Sequence, residues 1–499
     1  MLDSHETTAP VGLKADAVGL GGDFIASVVN VAPSSSVAFT LAVFLGMTGG
    51  GSPLPVLVCG VAMVFCAFGF ARLNRWRASA GAAYLWVGAS VNPTVGVGTG
   101  FFSIVTELIA NANNVILAGT YLLFVLFFTH TAPNILVWLS AAVVMGLMLW
   151  VSIRGIRPSV RVQLLLMAIE YSVVISFVVL ALIHEASGAG GATLPSLSNF
   201  NPSSSLHGFQ GIAEAAVVAS FLYGSWETAS ALGEESKHSR FNPGRAMILG
   251  TVFLTIWYTF LIMVFDGVSS RADLIAHGAD AFAYAGTLLA GNGFAGRLLP
   301  IAVLFAVIGT TQMMLIQPSR ILYSLSRDKL IGGFWGVVHK DHQTPWVALV
   351  ILACIPMVIM IPYLVSASAS TVIEYFVGTV GMLYLFLYFV IAVSSVWFFR
   401  AHITKSAGNF FLGGLLPLLG GLFCILMFAY GLTTQSIQVS VLSIVLVVVC
   451  YAGGVAARII NPKAPFFVGM ARLRATGRTE AEIAAGLEAA EEGGDASVV

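Results

Sequence analysis

Twelve apolar stretches punctuate the chain, at about 17–46, 53–72, 84–128, 134–153, 162–184, 209–233, 246–266, 297–325, 346–364, 371–399, 410–432 and 434–457. About 20 apolar residues in helical form cross the hydrocarbon of a bilayer, and a helix satisfies its own backbone groups there. A pattern repeated this often leaves one fold class, an all-α integral membrane protein of twelve transmembrane helices. Of the 499 residues 58% are hydrophobic and only 9% are charged, too few ionic groups to coat a soluble globule of that size.

The stretches also predict a sidedness, because basic residues near short loops stay on the cytoplasmic side. With the N-terminus inside, twelve spans put 21 of the 23 Lys and Arg residues on that side and leave Arg271 and Arg297 outside. The chain reads as a multi-pass inner-membrane protein of the cell with both termini cytoplasmic. Its parts are an N-terminal tail at 1–16, a transmembrane domain at 17–457 and a C-terminal tail at 458–499, which ends in an acidic, Ala-rich helix from Glu480 to Glu491. No small-residue cleavage site follows the first apolar segment, so no cleaved signal peptide is expected. A net charge of +0 with scattered basic residues gives no field for nucleic acid. The five cysteines lie inside apolar stretches without a CxxC pair or a His/Cys cluster, which reads as core packing with no metal site and no cofactor. Two outer loops, 185–208 and 267–296, are long enough to cap a pathway, the second with short helical pieces.

Two spans are interrupted. The first carries Asn30-Val31-Ala32-Pro33-Ser34-Ser35-Ser36 near its middle. Pro33 removes a helical hydrogen bond and pushes Ala32 away from helical dihedrals, while the serines offer hydroxyls to the freed backbone. The sixth carries Phe221-Leu222-Tyr223-Gly224-Ser225-Trp226-Glu227, with glycine, serine and a carboxylate among aromatic rings. Irregular backbone at membrane depth survives only where protein or a water-filled cavity satisfies it. Breaks in corresponding spans point to a solute site built by inverted repeats, here spans one to five and six to ten. Half-helix N-termini then offer N–H donors and a positive dipole end to a carboxylate, and freed carbonyls receive an ammonium or cation. The expected substrate-binding residues are Asn30, Ala32, Pro33, Ser34 and Ser35 from the first break and Phe221, Tyr223, Gly224, Ser225 and Trp226 from the second. An ordinary proline kink is the alternative at the first break, and ordinary packing the alternative for the aromatic rings.

The run from Phe221 through Trp226-Glu227-Thr228-Ala229 to Glu234-Glu235-Ser236-Lys237 and Asn242-Pro243-Gly244-Arg245-Ala246 resembles the amino acid/polyamine/organocation (APC) superfamily of permeases. There, a broken sixth helix with an aromatic–Glu pair leads into a Glu-Glu-x-Lys turn and a Pro-x-Arg-Ala start of helix seven. Two more segments are similar to the family pattern. One is Pro318-Ser319-Arg320-Ile321-Leu322-Tyr323 with Arg327-Asp328-Lys329-Leu330, His339 and Thr344-Pro345; the other is Ser79-Ala80-Gly81-Ala82-Ala83-Tyr84 with Gly100. Together they cover most of spans one to nine. The resemblance implies a leucine-transporter-like 5+5 inverted repeat with two extra helices, and secondary transport of amino acids or related amines and polyamines. Two departures stand out: the first break rests on Pro33 and serines where glycines are usual, and Ser225 stands where helix six often has glycine.

A charged carboxylate at a helix centre costs about 2.5 to 3.5 kcal/mol. Glu107, Glu170 and Glu227 therefore need protons, partners or water, and are the candidates for proton coupling. Glu227 matches the family's helix-six acid. The resemblance sets Glu170 where some proton-coupled relatives carry a lysine in a sodium position. Glu107 precedes Asn111, Asn113 and Asn114 by one to two turns. Thr310 and Thr311 offer hydroxyls for sodium beside span-one carbonyls, but membrane threonines commonly bond their own helix, so sodium ranks below the proton. The expected partners are a small-molecule amino acid or amine, a proton and the lipid bilayer. The expected function is proton-coupled import by alternating access, with an exchanger of the same fold or a transporter-like solute sensor as the alternative. No nucleophile elbow, metal cluster or phosphate-binding loop argues for an enzyme.

Overall fold

A computed structural model of the chain describes residues 12–127, 132–365 and 369–475. The expected helix from Glu480 to Glu491 lies outside the described residues. Among the described residues regular structure is helical, apart from the isolated bridges Val18–Ser236 and Gly49–Ser205. The first span is two half-helices, α1 (Leu20–Val29) and α2 (Pro33–Thr48). It is followed by α3 (Pro53–Trp76), the short elbow α4 (Ala83–Ser90), α5 (Pro93–Phe127), α6 (Asn134–Ile153) and α7 (Ile156–Ser187). The sixth span is α8 (Gly208–Leu222), a break, and the 3-10 segment Trp226–Leu232. Then come α9 (Asn242–Asp266), the loop helices α10 (Arg271–His277) and α11 (Ala281–Ala290), and α12 (Leu298–Arg327). The rest is α13 (Trp346–Ile359), α14 (Ile361–Val365), α15 (Ala369–Phe399), α16 (Ala407–Phe410), α17 (Leu416–Thr434), α18 (Ile437–Ile460) and α19 (Pro465–Ala475). Prolines open α2, α3 and α5, where a missing N–H leaves nothing unbonded.

Eleven helical units among the described residues, with α1 and α2 taken as one, are long and apolar enough to cross a membrane. The expected span at 209–233 is not among them, because its break leaves α8 only 15 residues. At about 1.5 Å per residue that is roughly 22 Å of helix against a hydrocarbon core of about 30 Å. The two halves stack as a five-span repeat requires: α3 packs on α9, α5 on α12 and α6 on α13, and the broken spans meet through α2 and α8. The added helices sit outside, α17 against α3 and α15 and α18 against α5. Only 33% of the α16–α17 window and 22% of the α18 window are buried, against 89% for the first span, so the broken span is the core of the bundle.

Two sequence expectations are corrected. Arg320, counted with the basic loop residues, lies inside α12, fully buried, and donates from Nε to Glu235 Oε2 at 2.9 Å. Cys354 is exposed while the other four cysteines are buried, because α13 packs on its neighbours through its other face. The three family-like segments converge at one end of the bundle. Glu234 accepts from Arg327 Nη1 (2.8 Å), Arg327 Nη2 (2.9 Å) and the Ala80 amide (3.0 Å), and Tyr84 donates to Asp328 at 2.8 Å. The chain before α1 is tied there too, with the Lys237 amide bonded to the Val18 carbonyl at 2.7 Å.

Candidate functional site

At the first break α1 closes with tightened turns, Val31 N to Val28 O (3.3 Å) and Ala32 N to Val29 O (3.0 Å). Ala32 then turns left-handed, φ 50° and ψ 65°, and Pro33 starts α2. At the sixth-span break Ser225 does the same, φ 71°, immediately before the 3-10 segment. A left-handed L-residue costs about 1 to 2 kcal/mol, strain that persists where surrounding structure holds it and that clusters at functional sites. The two breaks thus share one device. The serine at the second is explained by its side chain, since Ser225 Oγ donates to Glu107 Oε1 at 2.7 Å and meets the Tyr384 hydroxyl.

Between the breaks lies a cavity of about 30 Å³, room for no more than a few waters. Six of the ten expected binding residues line it: Asn30, Ala32, Ser35, Phe221, Gly224 and Ser225. Asn113 and Asn114 of α5, Thr310 of α12 and Tyr384 of α15 join them, with an apolar wall at Phe39, Leu117, Met314 and Val380. The other four expected residues are not in this lining. Pro33 is the first residue of α2, and Ser34 faces Glu170. Tyr223 donates to the Val56 carbonyl at 3.0 Å. Trp226 packs against Phe70 and Tyr388, with centroids 4.8 and 5.1 Å away.

Two of the three carboxylates bond to the breaks, and the third, Glu227, follows the second break directly. Glu170 Oε1 caps α2, accepting from Ser34 N at 3.2 Å and Ser34 Oγ at 2.6 Å. Two turns earlier on α7, Gln163 faces α12. Its Nε2 donates to the Gly309 carbonyl at 2.9 Å. Glu107 accepts from Ser225 and, at 3.0 Å, from Tyr384. Glu227 Oε2 accepts from Tyr388 at 2.8 Å and Oε1 from Gln317 Nε2 at 3.2 Å. The Tyr388 hydroxyl also lies 3.1 Å from the Tyr223 carbonyl and accepts from the Ser225 amide at 2.9 Å. Thr310 Oγ1 contacts the Val29 and Ala306 carbonyls, each at 2.9 Å, and Thr311 bonds its own helix at Val307.

Sequence reasoning missed Tyr384, Tyr388, Gln317 and Gln163, and also Asp23, buried in α1 and bonded to Ser236 Oγ at 2.6 Å. The tyrosines' four-residue spacing, one turn of a buried face, was the available signal.

The sequence profile of the amino acid permease family matches residues 24–454. The chain is similar to the low-affinity putrescine importer PlaP of Escherichia coli (strain K12), 25% identical over 77% of this chain and 81% of that protein. It is similar also to the branched-chain amino acid permease BcaP of Bacillus subtilis (strain 168), 26% identical over 42% of each chain. The human large neutral amino acids transporter small subunit 2 is 24% identical over 75% of this chain and 67% of that protein. All three are transporters and none is an enzyme. With a profile that runs from within α1 to near the end of α18, on an all-helical bundle with two broken central spans, the chain is a multi-pass membrane protein of the amino acid permease family.

Proposed function

We propose that the protein imports an amino acid or related amine across the inner membrane by alternating access, driven by protons, with both termini in the cytoplasm. The observation that carries this reading is the pair of left-handed breaks, Ala32 and Ser225, around one small cavity with a buried carboxylate bonded at each break. Half-helices joined by such breaks can tilt separately, so the cavity opens toward one face while the other stays shut. Similarity to a putrescine importer and to amino acid permeases supports the substrate class.

Glu227 carries the proton. Ionised, its Oε2 accepts the Tyr388 hydrogen; protonated there, it donates to Tyr388 and frees that hydrogen for the Tyr223 carbonyl at the end of α8. A proton thus changes which element α15 grips, a two-state contact next to the moving break. The test is uptake by purified protein in liposomes of a radiolabelled amino acid and polyamine panel, with and without an imposed pH gradient. Accumulation that follows the gradient is expected. Uptake that ignores the gradient and requires internal substrate makes the protein an exchanger, and no uptake of any panel member overturns the reading.

A further inference from the structure

Resting on that transport reading, we infer that the substrate is an organic amine with no carboxylate beside its ammonium group, and that Glu170 sets this selectivity. Where broken helices recognise a carboxylate, the free N–H groups at a half-helix N-terminus hold it. In this chain that place is already filled by a carboxylate of the protein, since both the amide and the hydroxyl of Ser34 donate to Glu170 Oε1. At the other break the Ser225 amide is bonded to Tyr388. A second carboxylate brought to the start of α2 has to displace Glu170 from both Ser34 donors.

What the cavity leaves unpaired is acceptors. Asn30 Oδ1 and Asn113 Oδ1 have no hydrogen-bond partner, although their residues line the cavity and are only 1% and 2% exposed. The Asn30 amide is held in this orientation by a directional chain. Its Nδ2 donates to Thr228 Oγ1 at 2.6 Å and lies 3.4 Å from Gln317 Oε1, Thr228 donates to Gln317 Oε1 at 2.5 Å or to the Ser225 carbonyl at 2.7 Å, and Gln317 Nε2 donates to Glu227 Oε1 at 3.2 Å. Oε1 accepts whether Glu227 is ionised or protonated on Oε2, so Asn30 presents its oxygen in both states. Behind the lining hydroxyls of Ser225 and Tyr384 sits Glu107, whose Oε2 is also unpartnered. No Lys, Arg or His is among the lining residues.

An ammonium matches this inventory. It brings three donors and no acceptor to a site of spare acceptors, with the Glu107 carboxyl one hydroxyl away. The Phe221 and Tyr384 rings in the lining add faces for a cation. The wall of Phe39, Leu117, Met314 and Val380 receives the carbon skeleton. A zwitterion offers the same ammonium but adds a carboxylate that must compete with Glu170 for the Ser34 donors at the start of α2.

The test uses matched pairs that differ only in the carboxylate: putrescine and ornithine, isoamylamine and leucine, phenethylamine and phenylalanine. Each is measured by binding to the purified protein and by uptake into liposomes. The amine of at least one pair binds about tenfold or more tightly than its amino acid, and Glu170→Gln and Glu170→Ala shift the ratio toward the acid by about tenfold. If the amino acids bind as well as or better than their amines in the wild type, the inference is overturned while transport stands. If neither member of any pair binds or moves, the transport reading falls and takes this one with it. Where the Glu170 variants do not fold, the wild-type ratio alone decides.

Discussion

Replacing Glu227 by glutamine separates the charge of this carboxyl from its hydrogen bonds. An amide oxygen in the place of Oε1 keeps the Gln317 contact, now 3.2 Å, and an amide nitrogen in the place of Oε2 donates to the Tyr388 oxygen, now 2.8 Å. Tyr388 then turns its hydrogen to the Tyr223 carbonyl 3.1 Å away. Glu227→Gln therefore reproduces the bonding of a protonated Glu227 and leaves no buried group unpaired, so stability stays within about 1 kcal/mol of wild type. Glu227→Ala is the contrasting variant. It strips the acceptor from the buried Gln317 Nε2, a loss of about 1 to 3 kcal/mol, or roughly 5- to 150-fold in the folding equilibrium. Thermal unfolding in detergent distinguishes the two variants, and proteoliposome uptake with and without an inward proton gradient reads the coupling. The glutamine variant is expected to fold, bind substrate and equilibrate it, but to accumulate no more with the gradient than without. Wild-type accumulation in that variant under the gradient refutes Glu227 as the proton carrier.

Three further outcomes follow from contacts away from that carboxyl. Arg320→Met leaves Glu235 buried and unpaired, a loss of about 3 to 5 kcal/mol, and Arg320→Met with Glu235→Leu recovers most of it in thermal unfolding. An alanine Cβ at Gly224 lies 2.2 Å from a Tyr384 ring carbon. Gly224→Ala therefore swings that ring off Ser225 and Glu107 at about 1 to 3 kcal/mol and abolishes uptake, while Gly46→Ala, with nothing within 4 Å, leaves uptake intact. Burial pushes the Glu234 carboxyl up, but Arg327, with the Ala80 amide and Ser79 hydroxyl, more than reverses this and holds it below its ordinary 4.5. A carboxyl depressed on folding adds stability that is full above its ordinary value and fades as pH falls below it, so Glu234→Gln flattens the acid limb of a stability–pH curve below about 4.5.

The spans were legible because a bilayer imposes both length and apolarity on a helix. The breaks were legible because Pro33 and the Gly224-Ser225 pair are poor material for helix interiors. Which way a side chain faces was harder to read. In an all-apolar span no polar stripe marks the inner side, so nothing sets Tyr384 and Tyr388 apart from other membrane aromatics, and Tyr223 and Trp226, expected in the site, turn into the packing around Val56 and Phe70. Glu170 was identified as a buried acid, but its partner Ser34 lies 136 residues away and follows only from how α7 meets α2. Asp23 was hidden by its place in an apolar run whose neighbours set the expectation. The sixth span, counted as whole from its apolar length, is a shorter helix and a 3-10 segment because left-handed Ser225 ends one and begins the other.

The most direct test of alternating access is the reach of a thiol reagent to Ser35→Cys in a chain whose five native cysteines are replaced. Ser35 lines the cavity and bonds only the Ala32 carbonyl of its own turn, at 3.1 Å, so cysteine replaces it with little disturbance. Membrane-impermeant reagent applied to right-side-out and to inverted vesicles is expected to label this cysteine from both faces, with bound substrate slowing each reaction. Labelling from one face only, whatever the gradient, or labelling that substrate does not slow, would contradict a single site between the two breaks that opens to each side in turn.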